Sequence, residues 1–403
     1  LHKIVSSLLV YFISQMCSAL EFGGEIKLQQ VLARTKGHSL QASLGVQDYS
    51  LHRSNMRLLL DHQESRWSFD LDYLLTLDYS DDLSPLKLTT SPFATDNNYF
   101  DWQSTIDESD SSELIHLIDR GSIKYSADQW VIKIGRQALT WGNGVVFHPM
   151  DLFNPFSPNA KDTSYKPGID AAYGQYLFEN GDDLQWFYVP GNDELFADDS
   201  HSVAAKYLKF FDGKQFEILV AENHGLNVLG FGFSGPIGDA IWKFDLVSGE
   251  REFDSSAFSF DLNLHYSWMW GERPVSGFIE FYQNGYADNS IQNLTQLSMD
   301  LMRRLERGQT FTLGKNNLAF GAQIQWSPLV IVSANLIRQL NDSSSLLLAT
   351  LTFNLSQSSN LIAGLQLTEG SDGTEYGGYY VDDNQQVIAD PGNQIYLRYE
   401  WYF

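Results

Sequence analysis

The chain has 403 residues, 50 acidic against 26 basic, a net charge of −24, and an aromatic content of 14%. That charge excludes nucleic acid as a partner, because phosphate backbones are held by clustered Lys and Arg; the apolar and aromatic content excludes a disordered acidic chain. The single cysteine, Cys17, falls among the first twenty residues, which excludes a disulfide framework and a thiolate metal site from the rest of the chain.

Residues 1–19 read as an export signal. Lys3 supplies the positive charge, Ile4-Val5-Ser6-Ser7-Leu8-Leu9-Val10-Tyr11-Phe12-Ile13 forms the apolar core, and Cys17-Ser18-Ala19 is a small-x-small cleavage site. The core is too short to span a bilayer as a helix. The mature protein should therefore be exported and begin at Leu20. N-terminal sequencing that recovers residues 1–19 from membrane-inserted protein would contradict this.

From there the chain alternates. Trp67, Phe69, Leu71, Tyr73, Leu75, Leu77 and Tyr79 interleave with Ser68, Asp70, Asp72, Leu74, Thr76 and Asp78; Phe258, Phe260, Leu262, Leu264, Tyr266, Trp268 and Trp270 interleave with Ser259, Asp261, Asn263, His265, Ser267 and Met269. Period two means a strand with one apolar and one polar face. Runs of about ten residues suit a tilted strand crossing a bilayer, whereas soluble sandwich strands average about five or six. Strands are predicted at 22–34, 53–63, 67–80, 114–127, 129–142, 168–179, 183–190, 201–212, 214–223, 226–236, 240–251, 257–270, 274–286, 317–327, 330–340, 345–356, 359–370 and 393–403. The longest gaps, 81–113, 143–167, 287–316 and 371–392, all follow odd-numbered strands, and the connections after even-numbered strands are tight. Short periplasmic turns against long extracellular loops produce this asymmetry. The predicted fold is all-β, an antiparallel up-and-down transmembrane barrel of about 18 strands, 20–403.

The longest acidic loop, 81–113, sets Asp81, Asp82, Asp96, Asp101, Asp107, Glu108, Asp110 and Glu113 against Lys87 alone. A solvated rim explains it; divalent-cation binding is the sharper alternative, although the spacing matches no defined calcium loop. The chain has no H-E-x-x-H, G-x-S-x-G or C-x-x-C run, its histidines are scattered, and neither an enzymatic site nor a cofactor or metal is expected.

If aromatic faces meet lipid, Asp70, Asp72 and Asp78 point inward, as do Arg57, Arg120, Lys124 and Lys133 on neighbouring strands. Cross-strand ion pairing accounts for any single pair; an acidic wall beside a basic wall would instead orient dipolar solutes at a constriction. The connection 143–167 concentrates Phe147, Leu152, Phe153, Phe156 and four prolines, too apolar to lie exposed. It is expected to fold inward beside Arg120, Lys124 and Lys133, with His148, Asp151 and Asn154 as solute contacts or as caps of its own turns. Alternation fails after Gln137, and Arg136 falls on the lipid phase, so a bulge or the rim must intervene there.

Gly135-Arg136-Gln137, then Trp141-Gly142, then Asp151-Leu152-Phe153-Asn154-Pro155 form a run that resembles porin-like outer-membrane barrels. These belong to a largely uncharacterised family similar to the phosphate-selective and alginate-export porins. Trp326-Ser327-Pro328, Asn341-Asp342-Ser343-Ser344 and Gly364 fit the same resemblance. It implies a barrel and transport and carries over no binding residue. The end of the chain, with Ile395, Leu397, Tyr399, Trp401 and Phe403 on one face, resembles the C-terminal signal that the barrel assembly machinery reads. Tyr399, Trp401 and Phe403 are its candidate residues.

The chain is thus expected in the outer membrane of a Gram-negative bacterium, surrounded by lipid and lipopolysaccharide, as a non-enzymatic channel for small polar solutes. A partner in lipid or hydrophobic-molecule transport and a surface adhesin or receptor are the alternatives.

Overall fold

The computed structural model describes residues 20–89, 98–191, 201–252, 255–289 and 291–403. The expected leader and Asp96 lie outside the described residues. Eighteen antiparallel strands close into one barrel. The first nine are β1 Leu20–Arg34, β2 Asp48–Glu64, β3 Trp67–Tyr79, β4 Ser112–Ser126, β5 Trp130–Gln137, β6 Ile169–Leu177, β7 Asp183–Val189, β8 Ser202–Phe211 and β9 Lys214–Asn223. The rest are β10 Leu226–Ile237, β11 Ala240–Gly249, β12 Ala257–Trp270, β13 Arg273–Gln283, β14 Asn316–Ser327, β15 Val330–Gln339, β16 Ser345–Ser356, β17 Ser359–Glu369 and β18 Asn393–Tyr402. β1 pairs with β2 on one side and β18 on the other, from Glu25↔Tyr402 to Arg34↔Asn393, which closes the ring.

Every predicted strand has its counterpart. Two ends differ most: β2 starts at Asp48 rather than at 53, and β5 stops at Gln137 rather than at 142. The physical reason for the second is a change of direction, since the chain leaves the wall after Gln137 and enters the lumen. Connections after even-numbered strands are short, the longest being 178–182, whereas 80–111, 138–168, 284–315 and 370–392 share the other end. By the usual barrel asymmetry that end is extracellular.

The alternation sorts the side chains as the pattern requires. Leu28, Leu32, Ile395, Leu397 and Trp401 are exposed on the outside, while Glu25, Lys27, Tyr396, Arg398 and Glu400 are buried within. Among the described residues no helix is long and apolar enough to cross a membrane. A short strand, Gln103–Glu108, pairs with the extracellular part of β4. An eight-residue helix, Met299–Glu306, is capped by Ser298, whose side chain accepts the Leu301 N–H at 3.3 Å.

Candidate functional site: the lumen and the segment that crosses it

The resemblance motif is where the chain leaves the wall. Gln137 stays at the top of β5 and donates from Nε2 to the Ala171 carbonyl at 3.0 Å and the Gly135 carbonyl at 3.2 Å. Leu139 and Trp141 then turn inward and pack with Met150, Leu152, Phe187, Leu219 and Val247 against the inner faces of β6–β11. The buried indole N–H of Trp141 donates to Gln185 Oε1 at 2.8 Å, as a buried indole must. Gly142 has φ +92°, and a Cβ there would lie 2.8 Å from Asp245 Oδ2, so a side chain is refused by both backbone and space.

Past Gly142 the segment is fastened by carboxylates as well as by apolar contact. Asp245 accepts the Asn143 N–H at 2.6 Å and its amide Nδ2 at 2.8 Å. Glu280 accepts the backbone N–H groups of Val145 and Val146 at 2.8 Å each and of Phe147 at 3.4 Å. Asn263 donates to the Asn143 carbonyl at 3.1 Å and to Asp261 at 2.8 Å. A loop crossing a barrel has no ladder partners, so its backbone donors must be met by side chains; charged acceptors make the stronger bonds. Beyond them Phe147 stacks on Tyr282 at 4.8 Å, next to Ile337, Leu346 and Tyr376.

The return limb reaches the opposite wall. Lys27 bonds Asp162 at 2.7 Å, and Arg398 donates to the Lys161 carbonyl at 3.1 Å. The Tyr165 ring lies 4.2 Å from the Arg57 guanidinium carbon, with Arg120 at 5.9 Å. Arg120 also donates to the Lys166 carbonyl at 2.7 Å. The segment therefore touches β6–β13 with one limb and β1, β2, β4 and β18 with the other.

The sequence-predicted lumen residues fall into three sets. Arg57, Asp70, Asp72, Arg120 and Lys133 come together as cross-strand pairs: Arg57 lies 2.5 Å from Asp119 and 3.7 Å from Asp72, and Lys133 lies 3.2 Å from Asp70. Lys124 stands half-buried opposite Lys133 in register. Asp78 is apart, held by both nitrogens of Arg53 at 2.7 Å near the extracellular rim. Of the loop residues, Asp151 is buried against the Lys166 ammonium, and Asn154 donates to the Pro167 carbonyl at 3.0 Å. His148 lines a small recess with Phe156 and Tyr282. Burial holds the His148 imidazole below its ordinary pKa, with Lys166 adding to the effect and Asp151 opposing it.

Arg136 does remain on the outer phase, and it is covered. Asp170 pairs with it at 2.9 Å, and Trp102 lies over its guanidinium at 4.7 Å. Sequence reasoning missed the carboxylates that hold the crossing segment: Glu217, Asp245, Asp261 and Glu280. Each occupies an inward position of an alternating strand, and that parity was their only signal. In the long acidic loop, Lys87 bonds both Glu108 and Glu113 at 2.6 Å. Among the described residues no three acidic or histidine side chains converge as a metal site.

Two groups outside the spanning strands carry the site's pH dependence. Burial opposes ionisation of Asp162, but Arg398, Lys27 and the Ser164 N–H outweigh it and hold the carboxyl at about 2. Burial pushes the Glu375 carboxyl up to about 7, against the pull of the Leu313 and Gly314 N–H groups that it accepts. A raised acid favours the fold below its unfolded pKa of 4.5, and that advantage is lost as pH rises through about 7. The melting temperature of the 370–392 connection should thus fall between pH 5 and pH 8, read by protease protection. In Glu375→Gln it should be flat over the same interval; an equal slope in the variant would reject the assignment.

No family model matches the chain, and no curated protein matches it by sequence. Solved structures match it by shape. Pseudomonas aeruginosa OccK5 (OpdH) is 9% identical over 96% of this chain and 99% of that one, with a TM-score of 0.55. Acinetobacter baumannii OccAB1 is 9% identical over 96% and 99%, with a TM-score of 0.54. Pseudomonas aeruginosa OpdQ is 10% identical over 95% and 98%, with a TM-score of 0.53. At these identities the likeness is one of fold. The class they define is a closed antiparallel barrel of 18 strands.

Proposed function

We propose that the protein is a passive outer-membrane channel for small polar solutes, with a bore narrowed by the segment 138–167. One feature of the lumen carries this reading. On the periplasmic side of the crossing segment, Ser267, Ser276, Gln323, Ser333 and Thr350 stand opposite one another in register across β12–β16. Ser267, Ser276 and Gln323 are exposed although they face inward. An apolar cargo would gain nothing from this row of hydroxyls and amides, whereas a hydrated solute finds replacements for its water. Lys133, Asp70 and Lys124 line the facing part of the wall, half-buried. A barrel of 16–18 strands is wide enough to leave an aqueous passage. The motif's resemblance to phosphate-selective and alginate-export porins agrees with transport and adds no substrate.

The test is a planar-bilayer recording of the folded barrel with solute competition. Discrete conductance steps, reduced by a polar solute in the millimolar range, are expected. Folded barrels that insert without conductance would reject the channel.

A further inference from the structure

The wall of the barrel has a notch. β5, β6 and β7 have 8, 9 and 7 residues, while every other wall strand has ten or more. A tilted strand needs about 9–11 residues to cross the hydrocarbon. β5 and β6 start in register at their periplasmic ends, at Trp130↔Tyr176, and β4 runs on past Gly121 to Ser112 without β5 beside it, so what is missing there is the extracellular part; β7 ends level with β8, at Val189↔Ser202. There β5 stops at Gln137 and β6 restarts at Ile169.

Segment 98–108 straps the notch from outside. Gln103–Glu108 takes the edge of β4 that β5 leaves vacant. Residues 98–102 then cross the outer face, where the Phe100 N–H donates to Asp170 at 2.9 Å and Arg136 donates to the Phe100 carbonyl at 2.5 Å. Behind the strap lies a cavity of about 280 Å³. Its lining comes from both sides of the wall: Tyr99, Arg136 and Asp170 belong to the outer face, and Asp119, Leu152 and Phe153 to the lumen.

The lining offers an apolar body and no net charge. Arg136 is matched by Asp170 at 2.9 Å, Asp119 by Arg57 at 2.5 Å, and Arg307 at the far end is itself partnered. The remaining polar groups are amides, among them Gln103, Asn154 and Gln309, the hydroxyls of Tyr99 and Ser202, and the His224 imidazole. A charged headgroup would find no counter-ion and would lose its hydration; a hydroxylated one finds hydrogen-bond partners. An apolar cavity of about 150 Å³ holds benzene, so this volume takes in roughly a dozen non-hydrogen atoms, a medium-length chain with the inner part of its head, and the rest of the head stands at the outer opening. Tyr99 and Phe100, about half exposed on the strap, stand at the outer opening, where aromatic side chains favour the membrane interface.

We propose that this cavity is a lateral binding site for an uncharged, single-chain amphiphile with a medium-length hydrocarbon tail and a hydroxylated head, entering from the outer leaflet through the notch. The site is separate from the polar passage and does not rest on the channel reading.

The probe is 1-octanoylglycerol with a photoreactive diazirine at the chain end, added to the full barrel in phosphatidylcholine vesicles. Label should concentrate on Tyr99, Leu117, Leu152, Phe153 and Val189, and unlabelled octanoylglycerol should displace it. Leu117→Trp or Pro190→Trp, each filling the cavity, should lose most of the label in barrels shown to be folded by heat-modifiable migration. If neither folds, displacement in the wild-type protein decides alone. Label spread over lipid-facing Leu365, Ile395 and Leu397 without displacement would overturn the site. Displacement by glycerol as effective as by octanoylglycerol would assign the cavity to polar solutes and overturn the amphiphile.

Discussion

Deleting residues 145–158 should raise single-channel conductance several-fold and weaken solute discrimination. The deletion removes the limb that runs from the Glu280 anchor past Phe147, Met150 and Leu152 across the lumen. It leaves the wall strands and their pairing intact. Glu280, freed of three backbone donors, would face water once the lumen opens, so its charge would be solvated rather than stranded. A point variant asks the same question more gently. Hydrogen bonds to a charged group contribute about 1.5–3 kcal/mol each, and Glu280→Gln weakens three of them without removing an atom of the loop backbone. It should give a smaller mean rise with larger current fluctuations. Unchanged conductance in a folded deletion variant would put the segment outside the conducting path and leave the channel resting on barrel size alone.

Removing Phe403 should sharply lower the yield of folded, heat-modifiable barrel, while replacing Tyr402 should lower it less. The C-terminal strand meets the N-terminal one at the seam, and Phe403 is its last clasp. Its N–H donates to the Gly24 carbonyl at 3.0 Å, and its carbonyl accepts the Gly24 N–H at 2.9 Å. The ring lies over Gly24, where a Cβ would come within 2.6 Å of it, with Trp401 at 5.1 Å and Phe22 at 6.2 Å alongside. Tyr402 points inward and donates to Glu400 at 3.0 Å, a contact the seam does without. Phe403 thus has a role in closure as well as any role in recognition by the assembly machinery. In vitro refolding of the two variants into detergent, without the machinery, separates the roles: a Phe403 defect that appears only in cells belongs to recognition. Equal losses for both residues in cells would remove the case for a C-terminal signal.

The order of strands, their number and the side each residue faces were legible in the sequence, and the reason is local. In a barrel wall each residue has two environments, lipid or lumen, and they alternate with a period of two; nothing distant is needed to assign them. The same locality made the loop asymmetry visible, and it flagged Arg136 as misplaced, a charge on the outer phase that then proved to be covered by Asp170 and Trp102. Parity also put Asp70, Asp72, Arg57, Arg120 and Lys133 inside. It could not say that they are matched to one another, because pairing depends on stagger between strands and on the bulge between Asp72 and Tyr73 that brings Asp119 to Arg57.

The tertiary structure alone decided how the crossing segment is fastened. Asp245 and Glu280 lie about a hundred residues and more from Asn143 and Val145 in sequence, and no local pattern marks a carboxylate as an acceptor for the backbone of a distant loop. The Trp141-Gly142-Asn143 run could be read as the approach to an inward loop but not as its anchor, since that role rests on Gln185 and Asp245 across the interior. The notch was hidden for a similar reason: the alternation that continued to Gln137 gave no sign of how far β5 fell short of its neighbours. Strand length is set where the chain finds better partners inside than in the wall, and here those partners came from β6–β13 on one side and from β1, β2, β4 and β18 on the other.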